Sequence, residues 1–331
     1  MKARTGNKEK VMRNSIILTL AMLVSCSFAL KAQQNAQYSQ YMFHGLYINP
    51  AYAGYKGDLN LHSYYRSQWT NMEGGPRTMA LAADMALDSD KVGLGFNIVN
   101  DRVGMEKRTA AYFNYAYRLR LDEANSRHLS LGVGAGFVHG SYNQSDIITG
   151  QPEPISLESI FLPDVRIGVF YNSPLFFAGA GIENLLSSIV MNDEKASIQP
   201  SRHYFMQAGG IIPVTSDVLL KPTTLLKTAS NSPNQAWTWD LNAAVLFAEQ
   251  FTLGVTYRTG FLTGSEASTN LSKRNSIIAL AEFQTKSNIR VGYSYDHPLS
   301  STVNNLGGTH EISVGYLITK QRIRERTPRF F

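Results

Sequence analysis

From residue 58 onward, apolar side chains recur at every second position. In "HLSLGVGAGFV" (128–138), Leu129, Leu131, Val133, Ala135 and Phe137 share one face, and Ser130, Gly132, Gly134 and Gly136 share the other. Successive strand residues point to opposite sides, so the pattern describes a sheet with one apolar face and one small or polar face. "VGLGFNIV" (92–99), "FTLGVTYR" (251–258), "NIRVGYSYD" (288–296) and "EISVGYLI" (311–318) repeat it. About fourteen such segments fall near 58–67, 77–87, 92–100, 107–121, 128–142, 163–171, 175–184, 202–213, 218–228, 237–247, 251–259, 275–284, 288–296 and 310–319. Most run about nine to eleven residues, the length a tilted strand needs to cross a bilayer.

The connections alternate too. Long ones, "SQWTNMEGGPR", 144–162, 185–201, 229–236, 260–274 and 297–309, take turns with short ones such as "DSDK" (88–91), "NSP" (172–174), "TSD" (215–217), "AEQ" (248–250) and "TKS" (285–287). Long loops on one rim and tight turns on the other are the plan of an outer-membrane barrel. Trp69, Tyr117, Tyr171, Trp237, Trp239 and Tyr257 lie near strand ends, where amphipathic rings favour a membrane interface. A secreted sandwich or propeller would also alternate, but its solvent face would carry Lys, Glu and Thr rather than Gly and Ala. The expectation is an all-β, transmembrane antiparallel barrel over 58–319, with long extracellular loops, short periplasmic turns and a periplasmic amino-terminal segment. Closure also removes the sheet edges that such apolar strands would expose.

Residues 1–32 read as an export leader, with Lys2, Arg4, Lys8, Lys10 and Arg13 ahead of the uncharged stretch Ile16–Phe28 and a cleavage site after Ala32. "LVSC" around Cys26 also fits a lipoprotein box, in which the thiol would be acylated. The chain has 31 basic and 25 acidic residues, but the leader holds six of the former (the five above and Lys31) and only Glu9 of the latter. The balance over the rest is nearly even, which argues against a nucleic-acid partner. A local basic excess remains in the tail 320–331, where Lys320, Arg322, Arg324, Arg326 and Arg329 face Glu325 alone; after the last strand this tail should emerge in the periplasm, where an acidic partner could engage it. A purely topogenic role is the alternative. The terminal Phe330–Phe331 pair is separated from the last strand by Pro328 and the charges.

With the apolar face toward lipid, Asp84, Arg118, Arg120, Arg166, Asp240, Arg258, Glu282, Arg290 and Asp296 fall on the inward parity. They could line a selective passage or pair across a filled lumen, and a barrel of this size has room for a plug. His44, His62, His128, His139, His203, His297 and His310 are scattered, with no metal-ligand spacing and no nucleophile motif. Asp296 and His297 are adjacent, but neighbours in a strand face opposite sides. The sequence therefore points to no enzyme and no cofactor.

Between leader and barrel (33–57) lies "YSQYMFHGLYINPAYAGY" (38–55), which holds five tyrosines and fits neither period. Tyr38, Tyr41, Phe43, Tyr47, Tyr52 and Tyr55 offer large rigid contact area, while Ser39, Gln40, Asn49, Pro50 and Gly54 offer turns and local hydrogen bonds. It is expected to fold against the periplasmic mouth or into the lumen and to present Tyr38, Gln40, Tyr41, Asn49, Pro50, Tyr52 and Gly54 to periplasmic partners, or simply to close the barrel base.

This stretch, with "YYRSQWTNMEGGPRT" (64–78), "KVGLGFNIVNDRVG" (91–104), "YAYRLRL" (115–121), "RHYFMQAGGIIPV" (202–214), "LKPTTLLK" (220–227) and "GTHEISVGYLI" (308–318), resembles the PorP/SprF family of type IX secretion proteins in Bacteroidota. "SQYM…NPAYAG" and "YRSQW…GGP", the latter carrying Arg66, Gln68, Trp69, Gly75 and Pro76, are its most specific parts. His44 departs from the family pattern, which often has Asn there. The resemblance implies an outer-membrane protein that helps export or anchor proteins with a type IX carboxy-terminal signal, including adhesins of gliding cells. It also implies periplasmic partners, namely the lipoprotein-containing ring and a peptidoglycan-binding protein. A channel for small or lipid-like solutes on the same barrel is the rival reading.

Overall fold

The computed structural model describes residues 38–87, 90–142, 159–190, 201–230, 236–262, 275–299 and 306–319. The leader 1–32, most of the loop 144–162 and the tail with Lys320, Arg322, Arg324 and Arg326 lie outside the described residues. The strands are β1 (Leu59–Ser67), β2 (Arg77–Leu87), β3 (Val92–Val103), β4 (Glu106–Arg120), β5 (His128–Tyr142), β6 (Ile160–Asn172), β7 (Phe176–Glu183), β8 (His203–Gly210), β9 (Ile212–Pro213), β10 (Val218–Ala229), β11 (Ala236–Phe247), β12 (Phe251–Leu262), β13 (Ser276–Gln284), β14 (Ile289–Pro298) and β15 (Thr309–Ile318). Each pairs antiparallel with its neighbours in sequence, except that β8 and β9 both pair with β10 rather than with each other, and β1 pairs with β15 to close the sheet into a barrel.

β8 and β9 are one stave. Both face β10 in a single register, Gly209 opposite Thr223 and Pro213 opposite Leu219. The interruption falls beside Pro222, which has no N–H to give to the ladder; on the opposite edge Ile211 N donates to Leu175 O at 2.9 Å, just before β7. The barrel therefore has fourteen staves among the described residues. Several exceed the expected length, β4 and β5 reaching 15 residues each. The long-and-short rule fails at β3 and β4, which join through Gly104–Met105, where Gly104 takes φ +58° at the first turn position, a place that favours glycine in a two-residue hairpin.

Burial follows parity. In β1 exposed or half-buried residues alternate with buried Asn60, His62, Tyr64 and Arg66. Leu81, Leu94, Phe113, Leu131, Val255, Val291 and Val314 point outward and are exposed, one apolar belt contributed by strands all round the barrel. Lipid is the solvent that such a belt requires. No helix among the described residues is long and apolar enough to cross a membrane, so crossing is by strands.

The belt sets the first expected outcome. Val255, 55% exposed near the middle of β12, should not accept a charge: Val255→Arg should destabilise the barrel by about 2–4 kcal/mol, measured by denaturant unfolding in lipid vesicles. Val255→Leu should be nearly neutral.

Candidate functional site

The interior is occupied by the chain itself. Residues 38–55 carry no strand; they fold into three short 3-10 turns, Tyr41–Phe43, Gly45–Tyr47 and Pro50–Tyr52, and every one of them is buried. Asn49 caps the third turn, its Oδ1 accepting from Ala51 N at 2.9 Å, and Pro50 fits the first helical position. Tyr38 and Tyr47 stack at 5.8 Å, and both meet Tyr64 of the wall edge-to-face, at 5.7 and 5.1 Å. Tyr52 and Tyr55 pack edge-to-face on Phe170.

Short turns leave backbone groups without internal partners, and the wall supplies them with charge. Glu311 accepts from Ser39 N at 3.0 Å and Gln40 N at 2.9 Å, and Gln40 Nε2 returns a bond to Glu311 O. Asp84 accepts from Gly54 N at 2.8 Å, and Arg118 donates to Gly54 O at 2.7 Å. Arg258 donates to Tyr38 O at 2.9 Å. Arg166 reaches Leu46 O at 3.0 Å and Tyr47 O at 3.4 Å, with its guanidinium 4.7 Å over the Tyr112 ring.

The same charges pair with one another. Arg258 clasps Asp240 with two 2.7 Å bonds and reaches Asp296 at 3.1 Å. Arg66 bonds Glu311 at 3.0 Å, lies 3.6 Å from Asp296 and donates to Ser39 Oγ. Arg166 pairs with Glu183 at 3.0 Å. Arg290 donates to Asn60, which itself donates to Asp84. His44 Nε2 stands 3.3 Å from Asp84 and therefore belongs to this network.

Glycines on the inner face let the plug come close. A Cβ at Gly93 would fall on Ala53 O, one at Gly132 on Ala51 N, and one at Gly168 on Asn49 Oδ1. The small residues of the inner parity are therefore a mould for residues 49–54.

The residues singled out in the sequence separate into groups. Asp84, Arg118, Arg166, Asp240, Arg258 and Arg290 are buried among plug and wall. Glu282 has the inward parity but is only half-buried, and Arg120, expected inside, is exposed because β4 ends there at the turn-side rim, beyond the plug. Tyr38, Gln40, Tyr41, Asn49, Pro50, Tyr52 and Gly54, expected to face partners, instead spend their surface on the wall, so in this arrangement none offers a docking face. His297 is exposed while Asp296 is buried, so the two do not form an acid–base pair. The sequence reading missed Glu311 and Glu183, and Asp164, which accepts from Tyr112 Oη, Asn184 N and Ser187 N; a carboxylate at inward parity was the available signal.

Arg66, Gln68, Trp69, Gly75 and Pro76 build the outer rim. Arg66 anchors the strand end, and Gln68 N bonds Pro76 O at 2.8 Å across the loop. Trp69 has φ +52°, and a Cβ at Gly75 would strike Gln68 O. Thr70 N and Asn71 N bond Gly308 O and Leu306 O, while Gly104 N bonds Gly74 O. The loop is thereby tied to both neighbouring connections, with Thr70, Asn71, Met72 and Glu73 exposed on top.

Comparison with known proteins agrees with this architecture. A family model described as type IX secretion system membrane protein PorP/SprF matches residues 30–316. The toluene transporter TbuX of Ralstonia pickettii is similar in structure with a TM-score of 0.51 at 10% identity, over 84% of this chain and 93% of that one. A FadL homologue of Pseudomonas aeruginosa gives a TM-score of 0.44 at 9% identity, over 78% and 89%. At 10% identity the first likeness shows an outer-membrane barrel fold and nothing finer. No curated protein matches the sequence.

Two outcomes follow from the plug. Glu311→Gln removes a buried charge from Arg66 and weakens two backbone contacts; it should cost about 3–5 kcal/mol in unfolding free energy, read by denaturant titration. Gly132→Val forces Ala51 away from β5 and should cost about 1–3 kcal/mol, with residues 38–57 becoming protease-sensitive before the strands do.

Proposed function

Because the chain belongs to the PorP/SprF family of type IX secretion system membrane proteins, we propose that it is a non-enzymatic outer-membrane component of that machine, working by docking proteins at its two rims. The observation that carries this reading is the occupied lumen: residues 38–55 are buried within the wall and bound to its charges, so the rims are the surfaces left for partners. On the long-loop side, the braced ridge Thr70–Glu73 and the loop 144–162 would meet exported or surface-anchored, adhesin-like proteins carrying a type IX carboxy-terminal signal. On the turn side, the rim and the tail bearing Lys320, Arg322, Arg324 and Arg326 would meet the ring lipoprotein and the peptidoglycan-binding partner. The leader 1–32 would be removed on export.

A solute channel is the competing reading, prompted by the similarity to a toluene transporter. The filled lumen weighs against it. In a liposome swelling assay the protein should give solute flux near the protein-free baseline; flux comparable with a porin would favour the channel. Crosslinking from native membranes tests docking directly. Neutralising Lys320, Arg322, Arg324 and Arg326 to Gln should reduce recovery of periplasmic partners several-fold, and high salt should produce the same loss in the parent protein. Unchanged recovery in the variant would remove the tail from the account.

A further inference from the structure

The plug has a direction. Its first residues lie at the long-loop end of the lumen, the outer side of the membrane. Ser39 N and Gln40 N donate to Glu311, the third residue of β15, and Arg66, the last but one of β1, donates to Ser39 Oγ. Tyr38 O accepts from Arg258, which stands opposite Ser276, the first residue of β13. Its last residues lie at the turn end. Asp84 and Arg118, near the inner ends of β2 and β4, hold Gly54, and Ala86 N donates to Gly57 O one residue before β2 ends. The chain therefore runs from the outer mouth down to the inner one, and β1 then carries it back up.

The depth of this descent can be read along β1. Ser39 lies against Arg66; Gly54 lies against Asp84, which accepts from Asn60 at 3.0 Å. Asn60 and Arg66 share β1, and the strand between them spans roughly 20 Å. Cleavage after Ala32 leaves residues 33–37 ahead of Tyr38. Fully extended, they reach about 17 Å, less than the height of the plug. The way back is also filled. Tyr38 stacks on Tyr47 and meets Tyr64 edge-on, Tyr41 Oη lies 3.4 Å from Thr223 Oγ1, and residues 38–55 are buried throughout. On the outer side there is room: a cavity of about 40 Å³ lies beside Tyr38, walled by Asp101 and Arg108 at the long-loop ends of β3 and β4.

We infer that residues 33–37 leave the lumen by the outer mouth and present the amino terminus of the exported chain at the cell surface, beside the ridge Thr70–Glu73. A free terminus there depends on removal of the leader, as proposed above, whereas the route out depends only on the plug. The segment "QQNAQ" brings Gln33, Gln34, Asn35 and Gln37 and no charged side chain. Amides donate and accept together, so this end adds a hydrogen-bonding element to the outer docking face and suits a partner with exposed peptide or hydroxyl groups. Salt leaves such contacts intact, in contrast to those of the basic tail.

Single cysteines in the full-length protein test the route in intact cells, against the parent, whose one cysteine is Cys26 of the leader. Ala36→Cys is compared with Glu73→Cys on the outer ridge and Ser216→Cys on an exposed turn of the opposite rim. A membrane-impermeant maleimide should label Ala36→Cys in intact cells as fully as Glu73→Cys, while Ser216→Cys stays unlabelled until the outer membrane is permeabilised. An Ala36→Cys protein that behaves like Ser216→Cys, or that is labelled in neither condition, overturns the inference. Folding of each variant is checked by heat-modifiable mobility, and Gln34→Cys, farther from the plug, repeats the measurement should Ala36→Cys not fold. Intact mass reads the leader separately: a chain still carrying residues 1–32 overturns the free terminus, even where Ala36→Cys labels from outside.

Discussion

The structure depends on charge supplied by the barrel wall to backbone that has no regular partner. A stretch folded into three-residue 3-10 turns cannot satisfy its own N–H and C=O groups, and at membrane depth no bulk water is at hand to do so. Here Glu311 and Asp84 accept from Ser39, Gln40 and Gly54, while Arg258, Arg166 and Arg118 donate to the carbonyls of Tyr38, Leu46, Tyr47 and Gly54. Each contact joins a charge to a peptide dipole, stronger than the neutral bonds that a regular element would have made.

Magnitudes divide the labour. Burying an ion pair returns little net stability, because desolvation offsets most of the attraction. Burying aromatic side chains does stabilise, and Tyr38, Tyr41, Phe43, Tyr47, Tyr52 and Tyr55 are all nearly inaccessible. The rings therefore hold the plug in, and the charges decide where along the lumen each residue sits. Removing one partner is costly in either case, since the other is left buried and alone.

Two-residue alternation made the wall legible, because lipid outside and a packed interior impose opposite demands on successive residues. The inward parity of Asp84, Arg118, Arg166, Asp240, Arg258 and Arg290 follows from that alone. Arg120 shows the limit, since parity gives a side and not a height, and the plug does not extend to its level. The position of residues 38–55 was less accessible, because irregular turns leave no period. Yet a trace exists in the wall: Gly93, Gly132 and Gly168 sit at inward positions of three strands where a side chain would strike backbone or Asn49. Strand glycine marks close approach of another chain segment, and here that segment is the chain's own beginning. A filled lumen leaves the two rims, rather than a passage, for the docking proposed above.

Hydrogen–deuterium exchange of the full-length protein in lipid nanodiscs tests the central claim most directly. Peptides covering 38–57 should exchange as slowly as those from β1 and β15, because their amides are buried and several end on wall carboxylates. Complete exchange of that stretch within seconds, while the strands stay protected, would show that the lumen is not filled by it and would contradict the account.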